Sequence, residues 1–324
     1  MQAPALQKEF IIGVDIGGTK VAVIVVNNNY SILTIYQAPT NLTSPASIVD
    51  GVIDAITTAL ERADISFKQV TGIGIGVPGF VDPVTGFVNL AVNLNLVDYP
   101  LGPRIQEHLN IPCFLNNDVR AAALGVMRLP ENHLVKNLAY ISVGTGIAAG
   151  LVLNGELFQG THGLAGEIGH IVVELGGSLC PCGQRGCLET VASGPAIANR
   201  AKVLVSSGVE SALVREPELT SEAVYRWAAQ GDAVAGRLAR ETGVYLAQAV
   251  YNLVLSTDVE KIVFGGGVSR AGKPFLDPVL AYIDKLRAES SLARQILNPA
   301  MVTNLSSDFP AGLWGAVALA QQNN

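Results

Sequence analysis

The sequence predicts an α/β protein of two domains, and three observations support this prediction. First, the chain has 324 residues, about twice the usual length of a single domain. Second, apolar segments of strand length alternate with segments of helical periodicity. Third, one plan occurs twice: strand, turn rich in glycine and threonine, strand, turn rich in asparagine, strand. Because the two copies share little identity, they indicate a common structural plan rather than a tandem repeat.

The first copy of this plan predicts the order β-β-β-α-β. The asparagines at 27–29 tolerate positive φ, which suits a hairpin turn, and Ser44 or Ser47 suits a helix N-cap. A strand that runs into a glycine turn is predicted over residues 10–20, further strands over 21–26, 30–36 and 70–77, and a helix over 47–62.

The second copy begins near residue 138, and helical periodicity dominates after residue 190. Strands are predicted over 138–143, 147–153, 156–158 and 261–264, and helices over 195–205, 221–229, 233–255, 274–287 and 312–321. Since no low-complexity linker divides the chain, we expect a tight crossover near residues 116–120. The predicted domains are 1–117, joined by a C-terminal helix at 310–324, and 118–309.

Composition excludes several classes of function. The chain has 21 Lys and Arg against 27 Asp and Glu, a net charge of −6, which gives no general attraction to nucleic acid or to an anionic membrane. No apolar stretch is long enough for a transmembrane helix, and residues 1–9 lack a signal-peptide pattern. We therefore expect a cytoplasmic protein with small-molecule partners.

Two glycine turns between strands are candidates for phosphate binding. The first contains Asp15, Gly17, Gly18, Thr19 and Lys20. Its glycines allow backbone N–H groups to approach an anion, and Asp15 suits a hydrated Mg²⁺. It is neither a P-loop nor a dinucleotide fingerprint, because the spacing differs and a strand follows. An ordinary tight hairpin is the alternative.

The second glycine turn favours the phosphate interpretation, because two such turns in two halves suit one polyphosphate. It consists of Gly144, Thr145 and Gly146. A third glycine run at 265–267, with Gly265 and Gly266 directly after a predicted strand, suits either a ligand lying on bare backbone or a plain connection.

Asn117 and Asp118 follow a short predicted strand and open a helix. Asp118 has two interpretations. As a helix N-cap it satisfies backbone N–H groups; as a functional group it orients and deprotonates a substrate hydroxyl.

His170, Cys180, Cys182 and Cys187 have the composition of a closed tetrahedral zinc site, with one imidazole and three thiolates. Gly183 and Gly186 supply the turns that a tight knuckle needs. Buried free thiols and redox cysteines are the alternatives. Four ligands leave no open position, so the predicted role of the metal is structural.

Glu167 and Glu189 lie on either side of this predicted zinc unit. A zinc ion would fix both carboxylates in place, and rigid carboxylates suit the hydroxyl groups of a polyol. Two solvated acids are the alternative, since most glutamates are exposed.

The motifs together resemble those of the ROK family of repressors, open reading frames and sugar kinases. The matching residues span most of the chain. They are Asp15 to Lys20, Gly76 to Gly79, Asn117 with Asp118, Gly144 to Gly146, Gly166 to His170, Cys180 to Glu189, and Gly265 to Gly267. The resemblance implies the actin-like ATPase (ribonuclease H-like) fold, in which two α/β domains close over a cleft.

The same resemblance implies an ATP-dependent hexokinase that forms a homodimer or a higher homo-oligomer. Asp118 would be the base toward the sugar 6-hydroxyl, and Asp15 would position Mg²⁺. Phosphates would lie at the two glycine turns and the adenosine beside Gly265 and Gly266. His170 would bind zinc through one ring nitrogen and sugar through the other. The remaining sugar contacts would be Gly79, Asn93, Asn117, Glu167 and Glu189.

Residues 163–170 and Glu189 most resemble the glucokinase branch, which implies glucose as the substrate. N-acetylmannosamine, fructose, mannose and allose are alternatives, as are a non-catalytic sugar-sensing regulator and a silent sugar-binding protein. Only about nine residues precede the first strand, which we interpret as too few for a DNA-reading domain.

Overall fold

The computed structural model describes residues 9–322, which form two compact units. Unit 1 contains residues 9–134, 157–165 and 310–322, and unit 2 contains residues 135–156 and 166–309. The strands are β1 (Phe10–Ile16), β2 (Lys20–Asn27), β3 (Ile32–Pro39), β4 (Val70–Val77), β5 (Phe80–Asp82), β6 (Phe87–Ala91), β7 (Leu96–Tyr99), β8 (Cys113–Asn117), β9 (Leu138–Val143), β10 (Ile147–Leu153), β11 (Glu156–Phe158), β12 (Lys261–Gly265) and β13 (Val302–Asn304).

The helices of the described residues cover the faces of the sheets. They are α1 (Pro45–Ala63), α2 (Leu101–Leu109), α3 (Asp118–Met127), α4 (Glu189–Ala192), α5 (Gly194–Ser206), α6 (Ser221–Ala229), α7 (Ala233–Thr257), α8 (Lys273–Glu289), α9 (Ser291–Ile296) and α10 (Ala311–Gln322).

The main sheet of unit 1 has the order β3-β2-β1-β4-β8. Strand β1 pairs antiparallel with β2 and parallel with β4, and β4 pairs parallel with β8. Helices cover both faces, so β1 is apolar almost throughout. Ile12 and Val14 belong to the core cluster that includes α1, while Ile11 belongs to the cluster that includes α10. A smaller sheet, β5-β6-β7, is inserted between β4 and α2.

Helix α10 packs very closely on the main sheet of unit 1. A Cβ atom at Gly74 of β4 would lie only 1.8 Å from the carbonyl oxygen of Ala316. Only glycine allows this approach, so β4 carries a glycine where a buried strand would otherwise have a branched residue.

The main sheet of unit 2 repeats the topology of unit 1. Its order is β11-β10-β9-β12-β13, with β9 and β10 antiparallel and β9, β12 and β13 parallel. Both units therefore follow the connection β-β-β-α-β-α-β. The predicted α/β fold, with one plan in both halves, is confirmed.

Several details differ from the sequence predictions. The strand predicted over 30–36 lies at Ile32–Pro39, because Tyr30 has φ 60° and belongs to the turn. The small sheet β5-β6-β7 and helix α2 were not predicted. Helix α3 and residues 157–165 group with unit 1, beyond the domain boundary expected after residue 117, because α3 packs on α10. That boundary stays a prediction, and residues 323 and 324 of the expected helix lie outside the described residues.

Candidate functional site

Predicted site residues of unit 1 gather at one edge of its main sheet. Strands β1, β4 and β8 are parallel, so their carboxyl ends meet at the same edge. Asp15 of β1 lies opposite Gly76 of β4, and Val77 lies opposite Asn117 of β8. In parallel α/β sheets this edge is the usual place for a ligand.

The first glycine turn is held closed by hydrogen bonds. The N–H of Gly17 donates to the carbonyl oxygen of Lys20 at 2.8 Å. Thr40, which the sequence did not single out, donates its hydroxyl to the carbonyl oxygen of Gly17 at 2.6 Å, and its N–H donates to Thr19. A Cβ atom at Gly18 would lie 3.4 Å from the carbonyl oxygen of Asn93, so this turn and predicted Asn93 are neighbours.

Asn117, rather than Asp118, is the N-cap of α3. Its Oδ1 accepts hydrogen bonds from the N–H groups of Val119 at 3.0 Å and Arg120 at 3.2 Å. Its Nδ2 donates to the carbonyl oxygen of Gly79 at 3.0 Å. Asp118 is the first residue of the helix, with one carboxylate oxygen 2.9 Å from the N–H of Val119. The N-cap interpretation of Asp118 is therefore corrected. The side-chain amide of Asn117 caps the helix instead, and the same amide links Asn117 to Gly79.

Asp15 has an unusual environment for a carboxylate. Its pKa is raised from 3.8 to about 6, mainly because the carboxyl group is buried; the negative charge of Asp118 contributes to the rise, and Lys20 opposes it. A Cβ atom at Gly312 would lie 2.6 Å from its Oδ2, so a side chain on α10 would fill the space beside the carboxylate. Two neighbouring acids at the end of a strand are a donor set that suits Mg²⁺.

The second glycine turn joins two helices of unit 2 to β9 and β10. The carbonyl oxygen of Gly144 accepts a hydrogen bond from the N–H of Gly194, the first residue of α5, at 2.8 Å. The N–H of Ile147, just after the turn, donates to Oε2 of Glu189, the first residue of α4, at 2.9 Å. The turn therefore contacts the N-terminal ends of both helices.

Gly265 and Gly266 are required by close packing beside this turn. A Cβ atom at Gly265 would lie 2.3 Å from the Tyr140 hydroxyl oxygen. Gly266 has φ 86°, and a Cβ atom there would lie 2.4 Å from the carbonyl oxygen of Val143. These contacts place the third glycine run against the end of β9, next to Gly144.

A cavity of about 600 Å³ opens at the second glycine turn, entirely within unit 2. Most of its side chains were not predicted, because they come from α5 and from the start of α6, where no glycine or cysteine motif marks them. Its lining is Gly144, Thr145, Gly194, Pro195, Ala198, Asn199, Lys202, Glu218, Leu219, Thr220, Ser221, Gly267 and Val268.

The four predicted zinc ligands converge. The ligand atoms of His170, Cys180, Cys182 and Cys187 all lie within 4.8 Å of one another. Cys182 Sγ and Cys187 Sγ are 3.7 Å apart, and His170 Nδ1 is 3.6 Å from Cys180 Sγ. A tetrahedron with Zn–S bonds of about 2.3 Å has sulfur atoms about 3.8 Å apart, so the spacing and donor chemistry fit zinc.

The backbone of this knuckle depends on Gly183 and Gly186, as the sequence indicated. They have φ 91° and 77°, and a Cβ atom at Gly186 would lie 1.7 Å from the carbonyl oxygen of Glu174.

Both predicted sugar-reading glutamates of unit 2 are positioned by β10. The carbonyl oxygen of Gly166 accepts from the N–H of Ala149 at 2.7 Å, which fixes the segment that carries half-buried Glu167. A Cβ atom at Gly169 would lie 2.1 Å from the carbonyl oxygen of Ile147. Since the N–H of Ile147 binds Glu189, the start of β10 brings the zinc unit and both glutamates to one place.

No helix among residues 9–322 combines the length and the apolar character that crossing a bilayer requires.

The family comparisons give a consistent result. A sequence profile of the ROK family matches residues 11–323. A glucokinase of Halalkalibacterium halodurans is 36% identical over 285 residues, covering 86% of this chain and 86% of that protein. A xylose repressor of Caldicellulosiruptor bescii is 32% identical over 281 residues, covering 85% of this chain and 70% of that protein.

A solved structure also matches over nearly the whole chain. It is a ROK family glucokinase from Streptomyces griseus in complex with glucose and AMPPNP. The TM-score is 0.75 at 31% identity, covering 97% of this chain and 99% of that one.

Proposed function

Because the chain belongs to the ROK family, we propose that it is a sugar kinase that transfers the γ-phosphoryl group of ATP to the 6-hydroxyl of a hexose. Glucose is the proposed substrate, in keeping with the similarity to glucokinases. The observation that carries the proposal is the hydrogen bond between Glu189 and Ile147. This bond connects a glutamate next to the predicted zinc ligands to the second glycine turn, where phosphate is proposed to bind.

The zinc unit is proposed to orient the groups that read the sugar. His170 Nδ1 faces Cys180 Sγ, so a zinc ion held by the four side chains leaves Nε2 as the free ring nitrogen. Binding at Nδ1 fixes the tautomer of His170, and Nε2 then donates to a sugar hydroxyl. Glu167 and Glu189 accept from further hydroxyls. When bound, the metal supplies rigidity and no reacting group.

The ATP phosphates are proposed to lie at the second glycine turn. Helix α5 begins at Gly194, whose N–H binds Gly144, and Ser193 caps it by accepting from Ala196. A helix N-terminus presents N–H groups and a partial positive charge, which favours phosphate. The cavity that opens here is lined by α5 and has room for the nucleoside.

The chemical step is proposed to use two acids of unit 1. Asp118 accepts the proton of the 6-hydroxyl while the hydroxyl oxygen attacks the γ-phosphorus, and ADP leaves with the bridging oxygen. Asn117 aligns Asp118 by capping α3, and it ties that helix to Gly79. Asp15 is the proposed residue for holding Mg²⁺, which neutralises phosphate charge when bound. The first glycine turn, Gly17 to Lys20, is proposed to contact phosphate, and Asn93 is proposed to contact the sugar.

A sugar-sensing regulator without activity is the second candidate, and the similarity to the xylose repressor favours it. The two candidates differ in whether the bound sugar is phosphorylated.

The test is ADP release by the purified protein with Mg-ATP and glucose, N-acetylmannosamine, mannose, fructose or allose. Asp118→Ala is the control. We expect glucose turnover that the variant loses. Turnover on another sugar would support the proposed kinase activity and replace glucose as the proposed substrate. Sugar binding without turnover would support the regulator and overturn the kinase.

A further inference from the structure

The cavity of unit 2 contains charged groups at the end away from the second glycine turn. Along α5 its lining residues are Pro195, Ala198 with Asn199, and Lys202, which share one helix face at intervals of three and four. At about 1.5 Å per residue, Lys202 lies about 10 Å along α5 from Pro195. Glu218 lines the same cavity from the segment that leads into α6.

The orientation of a bound nucleotide follows from the two ends of the cavity. Gly144, Thr145 and the start of α5 form the end that suits phosphates. A Cβ atom at Gly194 would lie 3.3 Å from Ser221 Oγ, so Ser221 belongs to this end as well. Leu219 and Glu218 precede Ser221 in the chain, and they lead away from the phosphate end of the cavity. A nucleoside whose phosphates lie at the glycine turn therefore places its base toward Lys202 and Glu218.

Lys202 and Glu218 are both exposed, and within residues 9–322 neither forms an ion pair or a side-chain hydrogen bond with protein. The apolar side chains of Ala198, Leu219 and Val268 line the same cavity. An apolar slot with a donor and an acceptor at its far end has the pattern of a site that reads a flat heterocycle.

We propose that Lys202 and Glu218 read the edge of the purine base of the donor and make this protein prefer ATP over GTP. The inference rests on the proposed kinase function, and it names the residues that select the nucleotide. Adenine carries an amino donor where guanine carries the carbonyl oxygen O6. A carboxylate only accepts hydrogen bonds, so Glu218 accepts from the adenine amine and repels O6. The Lys202 ammonium donates to a ring nitrogen.

The experiment compares kcat/KM for ATP and for GTP, at saturating sugar, in wild type and in Glu218→Gln. The amide of glutamine both donates and accepts, so we expect the ratio of ATP to GTP efficiency to fall about tenfold or more. Lys202→Met should raise the KM for ATP about tenfold and leave kcat within twofold. Matched controls are Glu222→Gln and Lys273→Met, two exposed residues of unit 2 outside the cavity.

Calorimetric binding of ADP and GDP without sugar separates this inference from the proposed function. If wild type prefers ADP and Glu218→Gln loses that preference, the inference holds even when no sugar is phosphorylated. An unchanged ratio in Glu218→Gln, equal to that in Glu222→Gln, would overturn the inference even when sugar turnover is strong. Equal use of ATP and GTP by wild type would overturn it too.

Discussion

Oε2 of Glu189 accepts a hydrogen bond from the backbone N–H of Ile147 at 2.9 Å. Glu189 follows the last predicted zinc ligand, Cys187, by two residues, and Ile147 follows the second glycine turn directly. A carboxylate held by backbone keeps a fixed position without a flexible partner. This hydrogen bond therefore connects the segment that carries the predicted zinc ligands to the second glycine turn, both of them in unit 2. A shift of either segment should move the other.

Gly146→Ala tests this coupling. The new methyl group would lie 2.5 Å from Oε2 of Glu189 and must displace the carboxylate. We expect the KM for sugar to rise about tenfold, which is the loss of roughly one charge-assisted hydrogen bond. Gly51→Ala in α1 is the control, because a Cβ atom there meets nothing within 4 Å. That control should gain up to about 1 kcal/mol of stability with unchanged kinetics. A normal sugar KM in Gly146→Ala would refute the coupling.

Asp118→Ala should lower kcat by about 10²–10⁴-fold or more and change sugar affinity much less. The reason is that the group is proposed to accept a proton in the transition state, whereas other residues hold the sugar. Single-turnover kinetics and sugar titration measure the two effects separately. A variant with wild-type kcat would remove Asp118 from its proposed role.

Asn117→Ala should lower both stability and turnover. It removes the N-cap of α3, which costs about 1–2 kcal/mol, and the contact with Gly79. Ser66→Ala, which removes a cap from an exposed 3-10 turn elsewhere in unit 1, is the control. We expect that control to change thermal stability slightly and kcat not at all. If both variants retain full turnover, capping by Asn117 does not position Asp118.

Cys182→Ser should lower the zinc content of the purified protein from about one ion per chain and weaken sugar binding at the same time. One thiolate ligand is lost, the zinc ion is bound less tightly, and His170 is then no longer held at Nδ1. Cys113→Ala is the matched control. The Cys113 thiol lies in β8, and burial raises its pKa to about 12. Its loss should leave the zinc content unchanged. A zinc-free protein with unaltered sugar affinity would contradict the proposed link.

Asp15 should lower the stability of the protein at neutral pH relative to that of an Asp15→Asn variant, when Mg²⁺ and nucleotide are absent. Its folded-state pKa of about 6 exceeds the unfolded value of 3.8, so the folded state binds this proton more tightly. The stability that Asp15 contributes therefore falls as the pH rises from about 4 to 6. Asp15→Asn removes this cost, about 1–3 kcal/mol at pH 7.5.

Thermal unfolding from pH 4 to 8 measures this effect. The Tm of Asp15→Asn should exceed that of wild type at pH 7.5, and the difference should shrink as the pH falls below about 6. Asp50→Asn, an exposed residue of α1, is the control and should give a constant, small difference. If Asp15→Asn is more stable than wild type and has lost kinase activity, Asp15 lowers the stability of the protein but is needed for its function.

Local patterns explain where the sequence predictions agree with the structure. The strands at 70–77, 138–143, 147–153 and 156–158 and the helix at 221–229 have the predicted bounds, because runs of branched residues and turn residues act over short distances. The small sheet β5-β6-β7 was missed since its strands have three to five residues and lack a clean alternation of buried and exposed positions. Tyr30 was placed in a strand because nothing in the sequence reveals its positive φ.

By itself, the sequence determined the family resemblance, the repeated plan and the four candidate zinc ligands, because these depend on residue types at short spacings. Tertiary structure decided the rest. Only the parallel pairing of β1, β4 and β8 brings Asp15 to the sheet edge where Asn117 and Asp118 lie. Likewise, only the packing of α5 and of the segment before α6 around one cavity brings Lys202 and Glu218 together with the second glycine turn. Contacts between distant segments arise from folding of the whole unit, and no local pattern encodes them.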